Sequence, residues 1–256
     1  MKLNNNHSSE SKLITLLRDT GIGSRRACFN LIKEGKVSIN GIIASNSSEM
    51  VVSSDSIFVN GTALKKKSKF IYIKLNKPTG VLTSLTDDRG RETVFELLPY
   101  SYKELSLFPI GRLDMYTSGL LLLTNDGHLA LRLTHPRYEI EKEYYVTLKQ
   151  NLQDYHANAL SNGIMLENVK TAPSKIVTLD KYIFKYSITV HEGKKRQIRL
   201  MFSHFGYSIQ SLQRVRIHNI HLGDLIEGEI QNLTKEELKV LIDEKLTDPK
   251  FTIDKI

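Results

Sequence analysis

A single cysteine in 256 residues, Cys28, excludes an internal disulfide, and its neighbours suggest a small buried side chain rather than a reactive thiol. No apolar run approaches the roughly 20 residues that a membrane-spanning helix requires. The opening MKLNNNHSSES is polar throughout and lacks the apolar centre of a secretion signal. These absences lead to the expectation of a cytoplasmic protein. Several chemistries fall away in the same manner. With no Walker loop and no GxGxxG at a strand end, no nucleotide cofactor is expected. The eight histidines are scattered, without HExxH or Cys-His ligand spacing, so no metal is expected either. A Ser-centred elbow and a catalytic-cysteine context are also missing, which argues against acyl transfer. Internal repeats and low-complexity domains are absent.

What is present is a core-forming composition with an uneven charge. Forty per cent of the residues are hydrophobic, and the length suits two domains. The net charge is +8, yet residues 1–69 hold eleven Lys and Arg against five Asp and Glu, leaving 25 against 23 for the remainder. A basic first quarter on a nearly neutral body points to an appended module for a polyanion. A lysine-rich solvated surface would have the same composition, so the arrangement must decide.

The stretch SKLITLLRDTGIGSRRACFNLIKEGKVSINGIIA is clearly punctuated. Leu13, Leu16 and Leu17 lie at helical spacing, and Gly21 and Gly23 close that segment. Ser24 caps a second helix with an apolar face of Ala27, Cys28, Leu31 and Ile32, ended by Gly35. Val37 and Ile39 then alternate up to an Asn40-Gly41 hairpin turn, and Asn60-Gly61 repeats that chemistry. Arg25 and Arg26 fall in the first turn of the second helix, against its macrodipole. Either a phosphate docks at that helix N-terminus, or the arginines are simply solvated. KKKSK at 65–69 reads as a charged, solvated linker.

In the larger body, FIYIKLNKPTGVLTS alternates into a strand that breaks at Lys77-Pro78-Thr79-Gly80. TDDRGRETVFELLP reads as a polar loop and a short helix, and HLALRLTHP as a helix up to its proline. YEIEKEYYVTLK alternates as a strand. KYSITVHEGKKRQIRLMFSHFGY gives a strand, a glycine turn and an amphipathic helix whose apolar face is Ile198, Met201, Phe202 and Phe205. Thr234 to Glu237 forms a capping box. Strands and helices without regular βαβ alternation predict an α+β fold with a mainly antiparallel sheet. The stretch GRLDMYTSGLLLLTNDG, residues 111–127, places Arg112 and Asp114 just before four leucines that belong in a core. Taken alone, Gly-Arg-Leu-Asp fits a turn with solvated charges as well as it fits a working carboxylate.

Two resemblances bear on that choice. GIGSRRACFNLIKEGKVSING closely resembles the helix–turn–helix plus hairpin RNA-binding motif of ribosomal protein S-four, the alpha-L motif, over about residues 11–59. This implies that Arg25, Arg26, Lys33 and Lys36 face RNA, gripping phosphates and helical shape. GRLDMYTSGLLLLTNDG resembles the catalytic motif of RsuA-type ribosomal pseudouridine synthases. LNKPTGVLTS, DDRGRETVFELLP, KEYYV, EGKKRQIRLMFSHFGY and LQRVRI occur in that family's order along the chain. The implied organisation is a flexible tail (1–10), a small α/β RNA-binding module (11–64), the linker (65–69) and a mixed, mainly antiparallel catalytic domain (70–256).

The second resemblance implies an isomerase without cofactor or metal. It would flip uridine out of ribosomal RNA, break its glycosidic bond and rejoin the base through C5. Asp114 is then the carboxylate, acting as nucleophile or taking a sugar proton. Arg199 pairs with Asp114, Tyr144 stacks on the flipped base, and Arg112 fills the gap in the stack. Tyr145 is the confounder of Tyr144, since alternation puts the two on opposite faces. Arg199 also fits a surface charge on its helix. For Lys77 a structural role in its loop comes before an RNA phosphate contact. The expected partner is ribosomal RNA, free or in an immature subunit, with the protein a monomer away from membranes. Departures from the family pattern at Met115-Tyr116, Lys195, Leu200 and Gln231 leave the target uridine open. Other readings are a catalytically silent RNA-binding or assembly protein, and an RNA glycosidase that releases uracil.

Overall fold

The computed structural model describes residues 10–23, 25–64 and 70–243. The expected cap Ser24, the linker 65–69 and the first nine residues of the expected tail lie outside them. The chain separates into two compact units, Met1–Phe70 with Glu104–Ser106, and Ile71–Lys103 with Leu107–Ile256.

In the smaller unit, helices α1 (Leu13–Asp19) and α2 (Arg25–Lys33) accompany strands β1 (Val37–Ile39), β2 (Ile42–Ile43), β3 (Ile57–Val59) and β4 (Thr62–Ala63). The strands form one sheet in the order β2-β1-β3-β4. Its core gathers Leu13, Leu17, Cys28, Ile32, Val37 and Val59. Burial pushes the Cys28 thiol up, as for a packing residue rather than a nucleophile. Both Asn-Gly pairs turn with positive φ at each residue (Asn40 50°, Gly41 83°; Asn60 50°, Gly61 74°), the backbone a tight hairpin demands. Of the expected apolar face of α2, Cys28 and Ile32 are buried, Leu31 is half-buried and Ala27 is exposed.

The larger unit is α+β, built on a nine-stranded sheet. Its main strands are β5 (Tyr72–Lys77), β6 (Ser118–Thr124), β7 (Lys142–Leu148), β8 (Lys175–Asp180), β9 (Lys185–Val190), β10 (Ile209–Ile217) and β11 (Ile230–Asn232). They run in the order β8-β9-β7-β10-β6-β5-β11. Every pairing in the sheet is antiparallel except β6 with β10, which is parallel and joins Ser118 to Gln213 and Gly119 to Arg214. Helices α3 (Gly127–Thr134), α4 (Asp154–Asn162), α5 (Gln197–His204) and α6 (Lys235–Asp243) complete the unit.

The four leucines of β6 are at most 1% exposed, so both faces of that strand are covered. Leu120 and Leu122 pack with Leu129 and Leu133 of α3 and with Leu241 of α6. The chain reversal after β6 is set by Asp126, whose carboxylate accepts from the amides of His128 and Leu129 and caps α3. On another part of the sheet, Val146, Ile188 and Val190 pack against Ile198, Met201 and Phe202 of α5. The capping box at α6 closes reciprocally: the Thr234 amide donates to Glu237, and the Glu237 amide to the Thr234 hydroxyl (2.8 and 3.1 Å).

Two local expectations are corrected. β5 does not alternate in burial, because Ile73 to Lys77 are all buried in a strand covered on both faces. The short helix expected within TVFELLP is a run of turns instead, and the helix forms one step later at Tyr100–Lys103, behind Pro99. Proline suits the start of a helix rather than its interior.

Candidate active site

Asp114 occupies the loop between Gly111 and Ser118 that feeds β6. Three contacts fix the loop backbone around its exposed carboxylate. The buried Thr83 hydroxyl donates to the Leu113 carbonyl at 2.8 Å and accepts from the Leu113 amide at 3.2 Å. The Gly80 amide donates to the Met115 carbonyl at 2.8 Å, and a turn closes from the Thr117 amide to the Asp114 carbonyl at 3.0 Å. The third contact comes from α5: Arg199 Nη2 donates to the Tyr116 carbonyl at 2.5 Å and lies 3.4 Å from the Thr117 hydroxyl. The LNKPTGVLTS segment therefore acts as the buttress of the Asp114 loop.

Arg199 is half-buried. Burial pushes its guanidinium down, and the Asp114 charge pulls it back up. Its hydrogen bonds go to the loop backbone and Thr117, in place of the direct pair with Asp114 that the sequence suggests. Lys77 ends β5 with none of its surface exposed, and its ammonium donates to the Pro78 carbonyl at 2.5 Å. Burial lowers its pKa to about 8, against the opposing charges of Glu227 and Asp114. That burial removes the phosphate-contact option for Lys77. Asp114 therefore lies within electrostatic reach of two buried or half-buried cations, from β5 and from α5.

The loop opens on a cleft of about 820 Å³ lined by Arg112, Asp114, Tyr144, Arg199 and Arg214 among others. Seven lining side chains are Lys or Arg and two are Asp or Glu, a balance suited to a polyanion. Arg112 is exposed within the lining. Tyr144 lines the cleft and packs its ring on the core beneath β7. Tyr145 takes the other face, where Lys185 Nζ sits 4.9 Å from its ring centroid. The cleft thus brings together Asp114, Tyr144, Arg199 and Arg112. Arg25, Arg26, Lys33 and Lys36 belong to the smaller unit and are exposed there; Lys36 pairs with Glu34 at 2.7 Å. Of the departures from family pattern, Lys195 lines the cleft and Tyr116 is exposed beside Asp114.

Sequence reasoning missed Lys142 and Arg214, both of which line the cleft. The signal was available for one of them: Lys142 stands two residues before Tyr144 in an alternating strand, hence on the same face. Arg214 lies opposite Tyr144 across β7 and β10, a pairing that no local pattern reveals.

A family model described as RNA pseudouridylate synthase matches residues 71–204, and one described as S4 domain matches residues 12–57. The chain is 40% identical over 237 residues to ribosomal large subunit pseudouridine synthase B of Bacillus subtilis (strain 168), covering 90% of this chain and 95% of that protein. It is 34% identical over 232 residues to the dual-specificity RNA pseudouridine synthase RluF of Escherichia coli (strain K12), covering 90% and 78%. A crystal structure of a pseudouridylate synthase superposes with a TM-score of 0.67 at 31% identity, covering 90% of this chain and 99% of that one.

Proposed function

The chain belongs to the RNA pseudouridylate synthase family, and on that premise we propose that it isomerises uridine to pseudouridine in ribosomal RNA. The observation that carries the reading is the convergence of Asp114, Tyr144 and Arg199 on one cationic cleft, with the Asp114 loop pinned on three sides. A uridine within folded RNA is out of reach, so the nucleotide leaves its stack to enter the cleft. Arg112, exposed in the lining, fills the gap it leaves. Tyr144 offers its ring to the base.

Asp114 then acts at the sugar. Electron deficiency builds at C1′ as the glycosidic bond lengthens, and a carboxylate opposite that carbon stabilises it, by attack or by taking a sugar proton. Arg199 acts through the loop backbone, keeping the carboxylate aimed. The freed base has to stay dry and enclosed, or the products would be an abasic site and uracil. The S4-type unit supplies sequence-independent grip through Arg25, Arg26, Lys33 and Lys36. The protein works in the cytoplasm as a monomer, on free ribosomal RNA or on an immature subunit.

The test is tritium release to water from ribosomal RNA labelled at uridine C5, offered as naked RNA of both subunits and as immature particles. Release by the wild type and none by Asp114→Asn supports the reading and identifies the subunit. Tight RNA binding without release from any substrate would replace it with a non-catalytic RNA-binding protein. Free uracil in the supernatant would replace it with a glycosidase.

A further inference from the structure

Arg214 is 3% exposed in the middle of the sheet. Its Nε donates to the Leu120 carbonyl at 2.7 Å, which clamps the guanidinium against β6 just beyond the Asp114 loop. Its Nη2 is buried and, among the described residues, has no acceptor. An arginine donor left unsatisfied in a protein interior costs on the order of 1–3 kcal/mol or more, so its retention asks for a reason. Arg214 lines the cleft and sits directly across from Tyr144 in the β7–β10 register.

A second cation stands beside it. Lys142 is two residues from Tyr144 on the same face of β7, and its Nζ donates to the Ile140 carbonyl at 2.9 Å. Burial and the neighbouring Arg214 charge push its ammonium down to about 8. Among the described residues, neither cation is joined to a carboxylate by a salt bridge. The other acidic residue of the cleft, Glu192, is already occupied by Lys194, the Ala172 amide and Gln197. Asp114 lies close enough to Lys77 and Arg199 for its charge to bear on both. The cleft wall beside Tyr144 therefore holds two positive groups that, among the described residues, no carboxylate pairs.

We propose that Arg214 and Lys142 form an oxyanion pocket for a carbonyl oxygen of the flipped uracil, stabilising the base while it is detached from the sugar. This rests on the reading of the cleft as the site of uridine isomerisation. When the C1′–N1 bond breaks, its electron pair stays with the base, and the negative charge spreads over N1, O2 and O4. The base turns, C5 uses that electron pair to form the new bond to C1′, and as the C5 proton departs to water N1 takes a proton from water in return, so the product is an isomer of the substrate. Atoms and electrons balance without any further reactant. The charge on the uracil oxygens exists only between those two bonds, so donors that meet it there lower the barrier rather than tighten ground-state binding. Arg214 lines the cleft opposite Tyr144 in the sheet, next to where a base stacked on that ring would lie, whereas an RNA phosphate would have to be dragged below the cleft mouth.

The experiment compares wild type, Arg214→Gln and Lys142→Met in single-turnover conversion of two RNAs, one with uridine and one with 5-fluorouridine at the target. Conversion is read by chromatography of the digested RNA, as pseudouridine from the first RNA and, because the second has no C5 proton to lose, as the C-linked product that keeps its fluorine and takes up water at C6. Fluorine withdraws electrons, so the 5-fluorouracil anion needs less help from the protein. The expected result is a loss of roughly 10²-fold on uridine for each variant, with RNA affinity within about twofold of wild type. On 5-fluorouridine the loss should shrink at least about tenfold. Equal losses on the two RNAs together with weakened binding would overturn the proposal in favour of a phosphate contact. Lowered Tm with an unchanged rate per folded molecule would overturn it in favour of a structural anchor; Lys142→Met, at a half-buried position, separates this from misfolding. Because wild type must convert uridine for any comparison, failure of the synthase reading shows itself separately, as no conversion at all.

Discussion

A Cβ placed on Gly119 would stand 2.2 Å from the carbonyl oxygen of Arg214 and 2.7 Å from its amide nitrogen. The two residues are also register partners at a parallel joint of the sheet, and Gly119 has φ of 101°, open to glycine alone. Gly119→Ala therefore has no room and no permitted backbone. It is expected to cost about 2–4 kcal/mol in chemical denaturation, against a few tenths at Gly193, where an added Cβ meets nothing within 4 Å and φ is not positive. Because Gly119 lies five residues after Asp114, at the start of the strand the loop feeds, the surviving folded fraction should also turn over more slowly.

Thr83→Val tests the buttress. Valine keeps the shape but leaves the Leu113 amide and carbonyl without the hydroxyl that serves both. A loss of about 1–3 kcal/mol in stability is expected. Tritium release per folded molecule should fall about tenfold, since a loosened loop misaims its carboxylate. Unchanged turnover would show that the loop holds its geometry without Thr83.

Tyr144→Ala and Tyr145→Ala separate two neighbours on opposite faces. Base stacking on an aromatic ring contributes about 1–3 kcal/mol, so Tyr144→Ala should reduce turnover by roughly 10- to 100-fold. Tyr145→Ala, whose ring meets Lys185 away from the cleft, should stay within about threefold of wild type. Reversed sizes would mean that the wrong face has been assigned to the base.

The pH dependence of stability follows from Lys77. Its folded pKa of about 8 lies below the ordinary 10.5, so between those values the unfolded chain holds a proton that the folded chain has lost. Stability therefore rises with pH across that window, and below pH 8 the full cost of the buried charge is present. Lys142, lowered to about 8 as well, adds to the same trend. Urea midpoints measured from pH 7 to 10 should rise for wild type and rise less for Lys77→Met. At pH 7 the variant should be the more stable, by up to about 3 kcal/mol.

How far the sequence could be read depended on the range over which each contact acts. The two Asn-Gly turns, the Thr234–Glu237 box and the apolar face of α5 are all local, and all are visible in the string of residues. The alternation of KEYYV was enough to separate Tyr144 from Tyr145. The joint between Gly119 and Arg214 was not legible, because it pairs positions far apart in the chain and parallel pairing leaves no hairpin signal. Thr83 and Leu113 are distant for the same reason. Arg199 was placed correctly on α5, but its contact with the Tyr116 carbonyl rather than the Asp114 carboxylate depends on where the loop backbone turns. Lys77 looked like a loop cation, and only the covering of both faces of β5 makes it a buried one.

The position of β10 between β7 and β6 has a consequence for synthesis. As the chain leaves the ribosome, β5 and β6 can pair, and so can β7, β8 and β9, yet these are two ribbons with facing edges and nothing between them. Asp114 is attached to one ribbon and Tyr144 to the other. The strand that unites them begins only at Ile209, after Arg199 has emerged. A polypeptide released early would carry the Asp114 motif intact and have no cleft in which to use it. The order of strands thus withholds the assembled site from RNA until β10 has been made.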